Sequence, residues 1–446
     1  MKRICLLLAI IVASCGAEAA PRKNVLFVVS DDLNCYLGAY GDPLAKTPNM
    51  DRLAAQGTVF TQAMCQFPVC GPSRASFMTG LRPNTTGIVE NGPSVFKQNP
   101  GVKSIPAIFK KQGYVTGRCG KVYNAVDNSE ATDWDVIIDM PSDRKKAKMA
   151  EGEVVDGGHV HWRSEWRMPD WPDEKLPDGA NAAKVVEWLG EPKEKPFFFA
   201  VGFKKPHQPL MAPKKYFDMH DKAALAKRWT WYKNETLPDI ALSLTGKKIE
   251  SAITEDQRAG YTWAYYATIS YVDAQLGKLL DALKQNGLAD DTIVVLFGDN
   301  GFHLGEHRSW GKNMVFEPAA RVPLIISAPG SRKGQRCDQV VELVDLFPTL
   351  LELCGMDSMP TLEGRSLVPA LHGEYLTKAA GFTQVAYGWS VRSERWRLMS
   401  VDPKNPKLLL YDLKNDPKEL VNQAENPEWA AVIKALQREA RSEGLE

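Results

Sequence analysis

Short apolar runs alternate with longer amphipathic stretches through most of the chain. Asn24–Val29, Pro196–Val201, Thr292–Phe297 and Val322–Ser327 are rich in β-branched and aromatic residues and read as strands, with Tyr114–Arg118 a weaker member of the set. Apolar runs without polar alternation belong to a sheet covered on both faces. Between them, Ser104 as N-cap and Gly113 as stop predict a helix over 105–112, and 181–189 predicts another. A long one-sided apolar pattern predicts a helix from Glu255 to Asn286. Val340–Leu353 also reads as helical, despite Pro348. Strands alternating with helices give an α/β fold with a mainly parallel central sheet flanked by helices. Beyond about residue 375 the texture changes. Trp389–Ser400 and Leu408–Leu413 look like antiparallel strands and 427–442 like a final helix, which predicts a small C-terminal α+β subdomain. The expected organisation is a leader over 1–19, an α/β domain over 20–374 and the subdomain over 375–446.

The leader changes the expected compartment. Lys2 and Arg3 precede the apolar run Ile4–Val12, and Ala17-Glu18-Ala19 offers a small-residue cleavage site. The run is too short to span a bilayer as an ordinary helix. Val12-Ala13-Ser14-Cys15 resembles a bacterial lipobox, so export to the periplasm or beyond is expected, with Cys15 a candidate for a lipid anchor. The 446 residues carry a formal net charge of +1, which gives no global field for nucleic acid or an anionic membrane. An anionic substrate must then be held by local positive charge. Six cysteines follow the leader region, Cys35, Cys65, Cys70, Cys119, Cys337 and Cys354. Their wide spacing makes neither a zinc pattern nor a small disulfide framework. The charge run Asp143–Lys148 reads as a solvated loop.

Ligands of an open parallel sheet bind beyond the carboxyl ends of its strands. Four predicted strands lead there into polar clusters: Asp31-Asp32, Cys119-Gly120-Lys121, Lys204-Lys205-Pro206-His207 and Asp299-Asn300. Asp31, Asp32, Asp299 and Asn300 offer only oxygen, which favours calcium or magnesium over zinc. Each Asp or Asn, taken singly, also suits a turn or a helix cap. His303 and His307 have a zinc-like spacing, but Gly305 between them argues against a helix, so they read as loop histidines near the pocket. Pro72 and Ser73 suit a helix start, which places Cys70 beside a helix N-terminus, where backbone N–H groups favour an anion. A buried apolar cysteine or a thiolate nucleophile would also fit Cys70 alone.

The wider context resolves that choice by resemblance. Cys70-Gly71-Pro72-Ser73-Arg74, continued by Ser76 and Thr79-Gly80, resembles the maturation signature of the formylglycine sulfatases of the alkaline phosphatase superfamily. Lys23–Asp32, Thr47–Leu53, Gly113–Lys121, Asp299–His307 and Lys312 resemble further motifs of the family. Within it, Gly120–Tyr123, Phe198–His207 and Val341–Thr349 are most similar to the iduronate-2-sulfatases.

The resemblance implies sulfate-ester hydrolysis by formylglycine made from Cys70 by a maturation enzyme. One hydroxyl of the hydrated aldehyde attacks sulfur, and loss of the other hydroxyl's proton expels sulfate. It implies that Asp31, Asp32, Asp299, Asn300 and residue 70 ligate calcium, which acidifies the diol and holds a sulfate oxygen. Arg74 is implied to orient the modified residue, Lys121 and Lys312 to neutralise sulfate oxygens, and His207 to bind sulfate or protonate the leaving oxygen. One position departs from the pattern. Asn124 stands where the family carries a histidine that helps remove the second diol proton. His159, His161 or water is expected to replace it. His161–Arg167 and Lys227–Lys233 mix aromatic and basic residues and suit a sulfated sugar, as a glycosaminoglycan or polysaccharide fragment; packing would use those tryptophans equally well. A phosphatase or phosphonate monoester hydrolase on the same fold, and a non-catalytic glycan-binding homologue, are the competing readings.

Overall fold

The computed structural model describes residues 22–124, 131–138, 157–159, 165–228, 253–401 and 406–445. The leader, Cys15, Asp143–Lys148, His161 and most of Lys227–Lys233 lie outside them, and only the backbone of His159 lies within.

Eight strands form the central sheet: β1 (Asn24–Asp31), β2 (Thr58–Met64), β3 (Val115–Gly120), β4 (Val136–Ile138), β5 (Phe197–Pro206), β6 (Thr292–Gly298), β7 (Arg321–Ser327) and β8 (Gln335–Glu342). Their spatial order is β8-β2-β7-β6-β1-β5-β3-β4. Only β7 runs against the rest, antiparallel to both β6 and β2. Seven carboxyl ends therefore share one edge of the sheet. The fold expected from the alternation of strands and helices is the one observed.

Continuous apolar strands form because both sheet faces are buried. Leu26, Val28, Val294 and Leu296 face one core, while Val25, Phe27, Val29, Ile293, Val295 and Phe297 face the other. That is the period-two alternation of side chains along a strand. The longest α-helices among the described residues are α1 (Pro48–Gln56), α2 (Cys70–Thr79), α3 (Ile105–Lys111), α4 (Pro177–Gly190), α5 (Glu255–Gln285), α6 (Leu346–Leu353) and α7 (Ala430–Ser442). α1, α4 and α5 pack on the first face, and α2, α3 and α6 on the second. Thr254 and Gln257 form a reciprocal capping box that starts α5, satisfying backbone donors left free at a helix start.

Three sequence expectations need correction. Residues 340–342 end strand β8 and 343–345 form a 3-10 turn, so the helix begins only at Leu346. Parallel pairing of Val340–Glu342 with Gln62–Met64 outweighs their compatibility with a helix. Strand β2 was not anticipated; its Thr-rich sequence is buried between two neighbours. Trp389–Ser400 is a hairpin rather than one strand. Four strands, β9 (Gly381–Val385), β10 (Gly388–Arg392), β11 (Trp396–Val401) and β12 (Lys407–Asp412), make an antiparallel meander. One face of this small sheet packs on Leu436 and Ala440 of α7. The other packs on Phe67, Met314, Val315 and Phe316, which flank Cys70 and Lys312 in sequence.

Candidate active site

The shared edge collects the polar strand ends. β1 ends at Asp31, and Asp32 then turns the chain with φ 63°. Aspartate tolerates this left-handed conformation better than most residues. The Asp32 N–H donates to Asp299 Oδ1 at 2.9 Å, linking the turns after β1 and β6. Asn300 Nδ2 donates to Asp32 Oδ1 at 2.8 Å. Ligand atoms of Asp31, Asp32 and Asp299 lie within 4.8 Å of one another.

Cys70 opens α2, with Val69 extended before it. Pro72 falls among the first helical residues, whose N–H groups lack intrahelical partners, so its missing donor costs little. Gly80 closes the helix with φ 69° and its N–H on Ser76 O. Cys70 Sγ lies 3.2 Å from Asp31 Oδ1 and 2.7 Å from Lys312 Nζ. Burial, with Asp31 next in weight, pushes its thiol up to about 12, against the pull of Lys121 and Lys312.

Arg74, one turn further along α2 and fully buried, joins the elements. Its Nε donates to Asp299 Oδ2 at 2.9 Å and Nη2 to Asp31 Oδ1 at 3.3 Å. Nη1 donates to the carbonyls of Lys121 and Val122, the latter at 2.9 Å. Lys121 Nζ pairs with Asp31 at 2.5 Å, and Lys312 Nζ pairs with Asp32. Burial opposes ionisation of Asp31, but Lys121, His207, Arg74 and Lys312 outweigh it and hold the carboxyl well below its usual range. Gly202 permits this crossing: a Cβ there would stand 2.0 Å from the Lys121 carbonyl.

His207 follows β5. Its Nδ1 must donate to the Gln208 carbonyl at 2.7 Å, leaving Nε2 as the acceptor in the neutral ring. Nε2 lies 4.0 Å from Asp32 Oδ2. Burial lowers the His207 pKa against the pull of Asp31 and Asp32. Ligand atoms of Asp31, Cys70 and His207 lie within 4.8 Å of one another. Lys204 and Lys205 N–H groups donate to Asp178 at the start of α4, which fixes the approach to His207.

The donor set can be tested against a hard divalent cation. Three carboxylates converge, and Asn300 Oδ1 is buried with no hydrogen-bond partner. A buried oxygen without a donor is an anomaly that a cation would remove. The residues present fit such an ion. The helical spacing that suggested zinc at His303 and His307 is not there: His303 lies in a short strand, His307 in a 3-10 turn, and Gly305 and His307 have φ 108° and 52°.

All nine predicted site positions thus meet at one edge: Asp31, Asp32, Cys70, Arg74, Lys121, His207, Asp299, Asn300 and Lys312. Asn124 follows the Lys121 loop and supplies no imidazole. The sequence reading missed three supports. Ser73 Oγ donates to the Asp299 carbonyl, Asn91 Oδ1 accepts from Gly71 N–H at 2.7 Å, and Tyr265 O–H donates to the Asp32 carbonyl at 2.5 Å. Ser73 lay within the signature, whereas Asn91 and Tyr265 carry no local signal. No disulfide joins the six described cysteines.

Comparison with known proteins places this geometry. A family model described as Sulfatase matches residues 23–356, and one described as N-sulphoglucosamine sulphohydrolase, C-terminal, matches 305–443. A sulfatase of Formosa agariphila is 33% identical, with 97% of this chain and 90% of that protein covered. The iduronate 2-sulfatase of Homo sapiens is 31% identical, covering 91% of this chain and 78% of that protein. The crystal structure of the phosphonate monoester hydrolase of Agrobacterium radiobacter superposes with a TM-score of 0.78 at 24% identity, covering 94% of this chain and 95% of that one. At that identity the likeness concerns the fold alone.

Proposed function

This chain belongs to the sulfatase family and is a sulfuric ester hydrolase, and from that premise we propose that it desulfates a saccharide using formylglycine at position 70 and a calcium ion. The observation that carries the proposal is the meeting of Cys70 Sγ, Asp31 Oδ1 and Lys312 Nζ within 3.2 Å of the sulfur, beside the orphaned oxygen of Asn300.

Asp31, Asp32, Asp299, Asn300 and the modified residue 70 would hold calcium, which would supply Lewis-acid polarisation of a sulfate oxygen and acidify a neighbouring hydroxyl. Formylglycine supplies, once hydrated, one hydroxyl to attack sulfur and a second whose deprotonation lets sulfate leave. Everything else falls to this chain's own groups. Three buried carboxylates face Arg74, Lys121 and Lys312, so their formal charges cancel. A divalent ion would then leave the pocket positive, as a sulfate monoester requires. Lys121 and Lys312 stand to neutralise the non-bridging oxygens, and their ammonium donors are already oriented by Asp31 and Asp32. Arg74 holds Asp31 and Asp299 in register with the helix that carries residue 70.

His207 takes a wider role than leaving-group protonation. Among described histidines it is the one grouped with Cys70 and Asp31. Its bare Nε2 suits proton acceptance from residue 70, the step left without its family base by Asn124. A sulfated sugar, of glycosaminoglycan or polysaccharide origin, is the substrate class supported by the likeness to iduronate 2-sulfatase. The N-terminal Lys2, Arg3 and Ile4–Val12 support export. Peptide mass spectrometry over residue 70 after co-expression with a formylglycine-generating enzyme tests the modification. Kinetics on matched sulfate and phosphate esters and on defined sulfated saccharides test the rest. An unmodified Cys70 in an active enzyme, or faster phosphate hydrolysis, would overturn the proposal.

A further inference from the structure

The turn after β1 holds Asp32 at φ 63°. A residue with a side chain stays in that region only where its surroundings hold it there. In this conformation the Asp32 carboxylate meets Asn300 and Lys312: Oδ1 accepts from Asn300 Nδ2 at 2.8 Å and pairs with the Lys312 ammonium. The direction of one predicted calcium ligand thus depends on an uncommon backbone angle.

The turn is held from both sides. On one side the Asp32 N–H donates to Asp299 Oδ1 at 2.9 Å. On the other stands Tyr265 of α5. Its O–H donates to the Asp32 carbonyl at 2.5 Å, and its oxygen accepts from the Asn34 N–H at 3.1 Å. One phenol therefore spends its donor and an acceptor lone pair on the backbone of a single turn.

Packing does not explain that hydroxyl. Tyr265 is fully buried in the apolar core beneath α5, and its ring stacks on Phe302 with centroids 5.7 Å apart and planes at 24°. A phenylalanine ring would make the same contact, and a buried hydroxyl costs free energy unless it is hydrogen-bonded. The ring contact extends the hold to the turn after β6. Phe302 lies two residues after Asn300, and its carbonyl accepts from Asn34 Nδ2 at 3.0 Å. One helical turn earlier on the same face of α5, the Tyr261 hydroxyl accepts from Gln208 Nε2 at 2.8 Å, beside His207.

We propose that Tyr265 is a positioning residue for the calcium site: its hydroxyl clamps the left-handed turn at Asp32 and so sets how tightly the ion is held. The inference rests on the calcium reading above. Loss of the hydroxyl takes a partner from a buried carbonyl and a buried N–H. The turn is then free to relax toward ordinary backbone angles, which swings the Asp32 carboxylate away from Asn300.

The test measures binding as well as turnover. Full-length enzyme matured at residue 70 is stripped of divalent ions with a chelator and titrated with calcium in a calorimeter. Tyr265→Phe keeps the ring and removes the clamp. It should weaken calcium binding by about 10–100-fold, the range for groups that orient metal ligands. The calcium concentration that gives half-maximal turnover of a sulfate ester should rise in step, whereas a merely structural defect would lower turnover alike at every calcium concentration. Tyr266→Phe is the control. It removes a similarly buried hydroxyl from the next residue of α5, one that donates to Asp42 Oδ2 at 2.6 Å. Its calcium affinity should stay within about twofold of wild type, as expected for a separate site. Thermal unfolding in chelator confirms that both variants are folded. Wild-type affinity in Tyr265→Phe, or an equal loss in Tyr266→Phe, would overturn the positioning role and leave the calcium reading standing. A wild type that binds no calcium would overturn both.

Discussion

Lys312 Nζ lies 2.7 Å from the sulfur of Cys70, and the same ammonium pairs with Asp32. The two residues are 242 positions apart in sequence. Lys312 therefore touches both the reacting side chain and the acidic cluster, and its own position depends on the segment between Asn300 and β7. Lys312→Met keeps the stem and removes the charge. It should lower kcat by roughly 10²–10³, the scale of losing one transition-state charge donor, with KM changed much less. Steady-state kinetics on a sulfate ester measures the split, and a pure KM effect would contradict the role.

Asn300 offers a direct test of the metal. Asn300→Ala removes the oxygen that has no partner. Calcium affinity should drop by about 10–100-fold, the range seen when a metal site loses a supporting group. The expected readout is a smaller calcium-induced rise in Tm, because an ion that binds only the native state stabilises it by mass action. An unchanged calcium response in the variant would remove Asn300 from the site.

The proton role of His207 can be separated from that of Asn124. If removal of the second proton limits turnover, the wild type should release alcohol in a burst followed by a slower steady rate. Asn124→His should shrink the burst by speeding the second phase. His207→Ala should slow turnover by about 10²-fold or more, the usual contribution of a positioned acid or base. Rapid-mixing assays follow the alcohol, and an unaltered steady rate in His207→Ala would exclude the proposed role.

Arg397 connects the C-terminal sheet to the segment that follows Lys312. Fully buried, it donates to Val315 O at 2.8 Å, pairs with Glu317, and stands 2.7 Å from Glu419. Glu419 accepts from the Glu317 N–H at 2.9 Å. Arg397→Met leaves buried Glu419 without its arginine, while Glu317 keeps Arg392 and Arg321, and should destabilise the protein by about 3–5 kcal/mol. Chemical denaturation reads the loss. A change below ~1 kcal/mol would show the network to be dispensable.

Acid stability has an identifiable contributor away from the pocket. Burial works against ionisation of Asp173, but hydrogen bonds from Lys215, Gln275 and Tyr216, with Lys278 nearby, hold its pKa at about 2. Because the folded value lies below the unfolded one, the stabilisation is present above about pH 4 and is lost as the pH falls toward 2. Asp173→Asn should lower stability at pH 6 by about 1 kcal/mol after allowing for solvent screening. The difference should vanish near pH 2. Unfolding midpoints across that window decide it, and a gap that persists at pH 2 would point to packing instead.

Much of this was written locally. Period-two and 3.6-residue patterns mark strands and helices because neighbouring side chains alone decide which face is apolar, so β1, β5, β6 and α5 were legible. Residues 70–80 were legible through their resemblance to a family signature, and the acidic strand ends because a strand's carboxyl end predicts where its next residues point. Tertiary structure decided the rest. β2 and the end of β8 are strands because they pair with each other, a long-range contact that no local propensity records. The antiparallel direction of β7, the seating of Lys312 on Cys70 across 242 positions and the Arg397–Glu419 link depend on the paths of the intervening segments. Sequence fixes which chemical groups exist and their local geometry; only the folded sheet fixes which of them meet, since hydrogen bonds and charges act over a few ångströms while the chain supplies their partners from anywhere along its length.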